Sequence, residues 1–455
     1  MNLAVQKAVF GATSRLTEIA PEWGARLLDA TLRPVLGCRA IGAWHARRNR
    51  GVVRRARALR RFLVVPDIHI GDAVMTESAL GAVRDFFPDA EVDYAVNRSV
   101  APLIEGHPDA TRVLPVFSGA QFPGPSDLDG LRRLIRDGGY DLVLAFGPFL
   151  EVGDLAARGQ RFVSFLTHAS ALVRNENDAS QVNHFSYQHY QFVRGVLEGA
   201  APAQRAATFP GPRTTVPEAA VRRAAEYAAA AGIGDRSGVL ILNPDGACRF
   251  NVLPFDDQVA LLLEIAQRAG DDVTILVGAG HSQQGIGVRL VAAMPERVRG
   301  SLRIIPPELD LAAYVALIDY ADVFVTGDTG PMHLAAARRH AASGGHRFRN
   351  RTAVLSLFGA TVPRMSGYDS ARPGYLPANQ DAPSWCYVAP SRCRNITCLN
   401  KYFKTCRAVR CFEGVDVAGL ADLVASHLRS VRSGERLRAA SPLASTRAAL
   451  EPALT

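Results

Sequence analysis

From residue 62 onward, short runs of apolar and β-branched residues alternate with longer stretches whose apolar positions recur with helical spacing. This alternation is typical of parallel sheets whose strands are joined by crossover helices. In the first half it predicts strands at residues 62–65, 92–96, 112–116, 141–146 and 161–165. In the second half it predicts strands at residues 238–243, 272–277, 301–305, 322–326 and 352–358. The pattern therefore predicts an α/β fold built from two β/α units of similar size.

A change of composition separates the two predicted units. Residues 199–217 are rich in Ala, Pro and Gly, which marks a linker. We therefore predict one domain over residues 62–212 and a second over residues 213–430, the latter including a Cys-rich segment at 386–411. Open α/β sheets bind ligands at the carboxyl ends of their strands, so the cleft between the two domains is the expected site.

Positive charge is concentrated at the N-terminus. The chain has a net charge of +9, and residues 1–61 account for +10 of it, so the rest of the chain is close to neutral. Such a body offers no electrostatic footprint for nucleic acid. We predict a basic helical extension over residues 1–61, which is either a solvated helix or an amphipathic arm that contacts an anionic surface such as the inner membrane. Residues 431–455 are predicted to be a poorly ordered tail.

Composition excludes several classes of protein. The 455 residues are 48% hydrophobic and 21% charged, as expected of a soluble globular chain. No apolar run reaches the roughly 18 residues that span a bilayer, and the first residues lack a signal-peptide pattern, so we predict a cytoplasmic location. The sequence contains no P-loop, no G-x-S-x-G and no H-E-x-x-H, which argues against P-loop NTPases and the commonest hydrolases and metalloproteases.

The strongest local motif is DVFVTGDTGPMHLAAA, residues 322–337, in which a strand runs into a glycine turn and then into a helix with proline in its first turn. The backbone N–H groups of such a turn form an anion site, and glycines allow a diphosphate to approach the backbone closely. Asp328 and Thr329 are therefore either ligand-binding residues or N-caps of the helix. The flanking Gly327 and Gly330 favour ligand binding.

Two further strand ends carry candidate polar groups. In FLVVPDIHIGDAVMTESAL, Asp72 either caps the helix predicted from about Ala73 to Phe86 or accepts a proton from a substrate hydroxyl. In ILNPDGACRFNVLP, a glycine loop runs through Gly246 to Arg249, a cation that would compensate the charge of a leaving diphosphate. The GAG turn at 278–280 lacks the third glycine of a dinucleotide fingerprint, which disfavours a Rossmann dehydrogenase.

Taken together, these segments resemble glycosyltransferase family 9, the heptosyltransferases of bacterial lipopolysaccharide core assembly. The resemblance runs from about Phe62 to about His427. It rests on the strand–GD–helix opening, on PDAEVDYAV, GHPDATRVLPV and YDLVLAF, and above all on GDTGPMHLAAA with the later LFGAT. It implies the GT-B architecture of two facing Rossmann-like domains. It also implies transfer of a heptose from a nucleotide-diphosphate donor to a sugar hydroxyl with inversion at the anomeric carbon.

The resemblance also implies roles for individual residues. Asp72 matches the proposed general base of the family. The donor-binding turn matches Asp328, Thr329, Gly330 and His333, and we add Gly246 and Arg249 from the neighbouring glycine loop. No catalytic metal or other cofactor is expected, because the helix N-terminus and the arginine would replace it. The expected partners are a nucleotide sugar and a lipopolysaccharide-type acceptor.

Two positions depart from the family pattern. Asn251 stands where a lysine precedes a Trp-Pro pair, with Arg249 as the candidate substitute. Ser282 and Gln283 stand where an acidic residue is expected to hold the ribose. The donor, ADP-heptose-like in the family, therefore stays open. Two alternatives remain: an epimerase of the same architecture, which would change a sugar nucleotide without an acceptor, and a non-catalytic nucleotide-sugar or glycan-binding protein.

Five of the seven cysteines fall within one short segment: Cys386, Cys393, Cys398, Cys406 and Cys411. A cytoplasmic location argues against disulfides, and the spacing lacks the tight C-x2-C pair of common zinc ribbons. The last four thiols are therefore either ligands of a structural metal, as the resemblance to iron-holding autotransporter glycosyltransferases implies, or free.

Overall fold

The computed structural model describes thirteen stretches of the chain, which are residues 47, 49–54, 59–118, 124–146, 162–164, 182–233, 238–270, 273–280, 285–340, 351–361, 363–378, 382–391 and 410–433. Most of the basic extension, nearly all of the predicted tail and the thiols Cys393, Cys398 and Cys406 lie outside the described residues. The predictions made for them therefore stay predictions.

The first unit is built on a five-stranded parallel sheet in the order β3-β2-β1-β4-β5. Its strands are β1 (Arg61–Val65), β2 (Glu91–Asn97), β3 (Arg112–Phe117), β4 (Leu142–Ala145) and β5 (Phe162–Ser164). The helices described in this part of the chain are α1 (Ile70–Thr76), α2 (Ser78–Phe86), α3 (Ala101–Ile104), α4 (Pro125–Gly138) and α5 (Phe185–Leu197).

The second unit is built on a six-stranded parallel sheet in the order β13-β12-β10-β7-β8-β9. Its strands are β7 (Gly238–Asn243), β8 (Val273–Gly278), β9 (Leu302–Ile305), β10 (Val323–Gly327), β12 (Ala353–Phe358) and β13 (Ser384–Val388). Its described helices are α6 (Glu218–Ala230), α7 (Phe255–Ala269), α8 (Ile286–Ala293), α9 (Glu296–Arg299), α10 (Leu311–Ile318), α11 (Gly330–Ala336), α12 (Pro363–Ser366) and α13 (Val417–Ser433). Two short strands, β6 (Arg213–Thr215) and β11 (Arg338–His340), pair with each other outside both sheets.

The central strands are buried on both faces, as a parallel sheet covered by helices requires. All five residues of β10 and all six of β12 are buried. The covering helices are amphipathic. In α6, for example, Ala220, Ala224 and Ala228 recur every fourth residue and form its buried face. No helix among the described residues is long and apolar enough to cross a membrane.

The ten strands predicted from the alternation are all present, each within about two residues of its predicted ends. Three strands were missed. The strands β6 (RTT) and β11 (RRH) contain no apolar residue that could signal a strand, and β13 overlaps the segment assigned to the cysteines. The single helix predicted from Ala73 to Phe86 is instead two helices, which meet at Glu77, and the first of them begins at Ile70.

In both units the next strand along the chain lies on one side of the first strand, and a later strand lies on its other side. The strand β1 lies between β2 and β4, and β7 lies between β8 and β10. These are the doubly wound orders, and ligands bind at the carboxyl edge where the strand order reverses. The turns that follow β1, β7 and β10 are therefore the ones the fold places at its binding crevice.

Contacts between the two units occur at these turns. The first turn of α1, in the first unit, packs on the N-terminal turn of α11, in the second. A second connection lies at the start of α5, where the ring of His184 lies 3.1 Å from the carbonyl oxygen of Ser366 through its Nε2. The fold thus brings the end of β1 against the end of β10.

Candidate functional site

The turn between β10 and α11 contains the predicted donor-binding residues. Thr329 occupies the N-cap position, but its side chain makes no capping hydrogen bond. Its hydroxyl instead lies 3.0 Å from the hydroxyl of Thr326 and accepts a hydrogen bond of 3.3 Å from Asn243. The backbone carbonyl of Asp328 accepts a hydrogen bond of 2.9 Å from the side chain of Asn251. The interpretation of Thr329 as a side-chain N-cap is therefore wrong, because its hydroxyl is committed to the strand ends.

The glycine loop after β7 packs directly on this turn. A Cβ atom on Gly246 would lie 2.6 Å from the Cγ2 of Thr329, and one on Gly327 would lie 1.8 Å from the backbone oxygen of Asn251. Only glycine permits these approaches. The buried amide of Gln258 donates to the carbonyls of Pro244 and Leu253 and so holds both ends of the loop.

Arg249 lies on the same loop but is exposed. It begins a 3₁₀ turn, Arg249–Asn251, and its guanidinium carbon stands 5.2 Å from the ring centroid of Phe250. The backbone of this turn touches the β10–α11 turn through Asn251. The structure therefore places the exposed residue Arg249 at the rim of the donor turn.

Asp72 lies in the first turn of α1, at the carboxyl end of β1. The helix begins at Ile70 and His69 occupies its N-cap position, so the alternative that Asp72 caps a helix starting at Ala73 is wrong. The Thr76 hydroxyl donates to the backbone oxygen of Asp72 at 2.8 Å. Asp72 as a whole is half-buried.

The residues beside Asp72 make the contact with the donor turn. A Cβ on Gly71 would lie 2.5 Å from the Cδ2 of His333, and a Cβ on Gly330 would lie 2.9 Å from the Cβ of Ile70. The N-terminal turns of α1 and α11 therefore pack with the backbone of each glycine against a side chain of the other helix. There is no room for a larger residue at either glycine. Of the predicted residues, the structure brings together Gly246, Asp328, Thr329, Gly330 and His333, with the helical turn of Asp72 against them.

His333 is buried at this junction. Its Nδ1 lies 3.0 Å from the hydroxyl of Tyr368, and its Nε2 lies 3.9 Å from Oδ1 of Asp328. Burial lowers the pKa of His333 to about 3. The pKa of the neighbouring His184 is lowered to about 3 by burial first and by His333 second. Both imidazoles are therefore neutral at physiological pH.

Three residues at the site were missed by the sequence reasoning. Asp67 stands two residues after the end of β1, and burial together with the nearby Asp72 carboxylate raises its pKa to about 8. A polar residue just past the end of a parallel strand is a signal for a site residue, and Asp67 has that position. Asn243, the last residue of β7, has it too. Tyr368 has no such signal, because it lies outside every motif found in the sequence.

The packing of α1 on α11 brings two kinds of group together. The second unit supplies a surface that suits an anion, and the first unit supplies the carboxylate of Asp72. Backbone N–H groups of the β10–α11 turn and the rim cation Arg249 suit a diphosphate. The carboxylates of Asp328 and Asp72 suit sugar hydroxyls, as hydrogen-bond acceptors or as a base. Such a site can hold a sugar nucleotide on one unit and present a second hydroxyl from the other.

Comparison with known proteins bears on the identity of this site. Residues 212–370 match the family model described as glycosyltransferase family 9 (heptosyltransferase), a range that includes the whole donor turn and its glycine loop. Over these residues the family resemblance drawn from the sequence is confirmed, and the match supports a glycosyltransferase. No sequence among the curated proteins matches the chain.

Two solved structures share the architecture. ADP-heptose LPS heptosyltransferase II of Escherichia coli has a TM-score of 0.53 and 15% identity, and the match covers 82% of this chain and 99% of that chain. A glycosyltransferase family 9 protein of Veillonella parvula has a TM-score of 0.56 and 15% identity, and the match covers 84% of this chain and 100% of that chain. The predicted GT-B fold, with its two parallel sheets, is therefore confirmed.

Proposed function

We propose that this glycosyltransferase moves a sugar, a heptose or a close relative, from a nucleotide-diphosphate donor to a hydroxyl of a lipopolysaccharide core or related envelope glycan. The observation that carries the proposal is the contact between Gly71, next to the candidate base, and His333, at the donor turn. We assign the acceptor to residues 62–212 and the donor to residues 213–430.

On the donor side, the glycine turns support binding of a diphosphate. Gly246 and Gly327 keep the two loops in van der Waals contact. The helix α11 begins after β10, at the crevice edge where the strand order reverses, and a helix start at such an edge suits an anion. Charge that develops on the leaving diphosphate would be stabilised by these groups and by Arg249, which closure of the cleft would bring over the phosphates.

On the acceptor side, Asp72 is the proposed base. It would take the proton of the acceptor hydroxyl while that oxygen attacks the anomeric carbon from the face opposite the diphosphate, which inverts the configuration. The bond from the anomeric carbon to the diphosphate breaks as the new glycosidic bond forms. Water must be kept out of this space, and the close packing of α1 on α11 supports such exclusion.

The donor and the acceptor are proposed by extension from the family. The E. coli structure is named for ADP-heptose and lipopolysaccharide, and we propose a donor of the ADP-heptose class for this chain, with Asn251 and Ser282–Gln283 as positions where recognition differs. We propose that the protein acts at the inner face of the inner membrane, with the basic residues 1–61 contacting anionic headgroups.

The test is transfer with a panel of sugar nucleotides, comparing the wild type with Asp72→Asn. We expect kcat to fall about 10²–10⁴-fold, because general-base catalysis is lost, while the Kd of the donor, measured by calorimetry, stays within twofold. The control is Asp129→Asn, which removes a carboxylate from an exposed ion pair on α4. The anomeric configuration of the product is read by NMR.

Two results would count against this proposal. Wild-type turnover by Asp72→Asn would remove the base from the mechanism. A changed sugar nucleotide released without any acceptor would favour the epimerase.

A further inference from the structure

The hydroxyl of Tyr368 has a single hydrogen-bond neighbour among the described residues, the Nδ1 of His333 at 3.0 Å. The side chain of Tyr368 is fully buried, and that of His333 is nearly so. The ring of His184 packs beside Tyr368 at 4.7 Å between centroids and uses its own nitrogens elsewhere. Tyr368 and His333 thus form an isolated polar pair inside the contact between the two units.

The direction of this hydrogen bond follows from the proton count. Burial lowers the pKa of His333 and raises that of Tyr368, so both groups are neutral and the imidazole carries one proton. If Nδ1 carried it, the buried tyrosine proton would have no acceptor in the described structure, at a cost of about 1–3 kcal/mol. If Tyr368 donates to Nδ1, both groups are satisfied and the proton of His333 is on Nε2.

The second nitrogen of His333 faces a carboxylate. Its Nε2 lies 3.9 Å from Oδ1 of Asp328, which is too far for a direct hydrogen bond. An N–H facing a carboxylate is favourable, whereas a lone pair facing it would be repelled, which again favours the proton on Nε2. A hydroxyl oxygen that lies beside the line joining these two atoms, about 2.8 Å from each, can accept from Nε2–H and donate to Asp328.

We propose that Tyr368 is a positioning residue that holds His333 as the Nε2–H tautomer, so that His333 and Asp328 together bind one hydroxyl of the donor sugar. This inference rests on the proposed function, since the hydroxyl belongs to its donor. Tyr368 itself touches no substrate and acts through the imidazole.

The first test needs no turnover. The ¹⁵N NMR spectrum of histidine-labelled protein reports which ring nitrogen of His333 carries the proton, with its signals assigned by their loss in His333→Gln. We expect a protonated Nε2 in the wild type and a measurable Nδ1–H fraction in Tyr368→Phe, where only the Asp328 carboxylate still favours Nε2–H. Tyr375→Phe is the control, because it removes a hydroxyl near Arg372 in the same segment and leaves His333 untouched. A protonated Nδ1 in the wild type, or unchanged signals in Tyr368→Phe, would overturn the proposal.

The second test separates positioning from general damage. We expect Tyr368→Phe to raise the KM for the donor about threefold to tenfold, as expected for one net hydrogen bond, with the acceptor KM unchanged. In the His333→Gln background, where the amide supplies a fixed N–H in place of Nε2, the same substitution should change the donor KM less than about twofold. An equal effect in both backgrounds, or an unchanged donor KM, would overturn the proposal. Failure of the proposed function would appear as an absence of transfer by the wild type, while the NMR result still decides the tautomer.

Discussion

Substitution of Gly71 by alanine tests the contact on which the site depends. The new Cβ would lie 2.5 Å from the Cδ2 and 3.1 Å from the Nε2 of His333. Ordinary carbon contacts begin near 3.5 Å, so the ring would have to retreat by about 1 Å. It has little freedom to do so, because Tyr368 holds its other side at 3.0 Å and both rings are buried.

The expected magnitude has two opposing parts. Overpacking a filled site costs about 1–3 kcal/mol, whereas replacing a helical glycine with alanine gains up to about 1 kcal/mol of helix stability. The matched control is Gly195→Ala in α5, where a Cβ has no heavy atom within 4 Å. We therefore expect Gly195→Ala to stabilise the protein and Gly71→Ala to be about 1–3 kcal/mol less stable than this control, because the helical gain is common to both and only Gly71→Ala is overpacked.

The measurements are urea unfolding at fixed pH and steady-state transfer. If the strain is relieved by separation of the two units instead of unfolding, stability is kept and kcat falls, because a displacement of about 1 Å at a reacting centre costs up to about 10²-fold in rate. Gly71→Ala with the stability of Gly195→Ala and wild-type kcat would refute the reasoning, since it would show that α1 and α11 do not pack as described.

Two further predictions concern buried groups near the site. Gly327→Ala should destabilise the chain by at least about 3 kcal/mol, because its Cβ would fall 1.8 Å from a backbone oxygen that cannot rotate away; a wild-type urea midpoint would contradict this. Glu77 is fully buried, and desolvation raises its pKa well above 4.5 although it accepts a hydrogen bond from the backbone N–H of Arg213. Its contribution to stability is thus lost as the pH rises above 4.5 toward the folded pKa, so Glu77→Gln should stabilise the protein increasingly with pH, by about 1.4 kcal/mol per unit. A stabilisation that stays constant between pH 5.5 and 7.5 would contradict it.

Much of the architecture was open to prediction from local pattern. The strand β10 is a buried apolar run bounded by a glycine turn, and its residues alone predict a strand, a turn and a helix in that order. The same holds for β1 and β7, and because parallel strands present their carboxyl ends at one edge, the turns after them were predictable as neighbours. Asp72, Asp328 and Thr329 were predicted as site residues for this reason.

Residue roles within the turns were less predictable. Asp72 was assigned a possible capping role because the helix was expected to begin at Ala73, whereas it begins at Ile70. A shift of three residues in the start of the helix decides whether the Asp72 carboxylate can cap it. Sequence alone does not fix this start to within a few residues. In this protein the helix begins at Ile70, which packs on Gly330 of the other unit.

Periodicity, glycine turns and charge distribution were enough to establish two β/α units, their strand ends and the location of a crevice, since each depends on residues adjacent in the chain. The pairing of His333 with Tyr368, its contact with Gly71 and the raised pKa of Asp67 arise from groups that meet only after both sheets have formed. No local pattern encodes such meetings, because hydrogen-bond direction and desolvation depend on what surrounds a group in space.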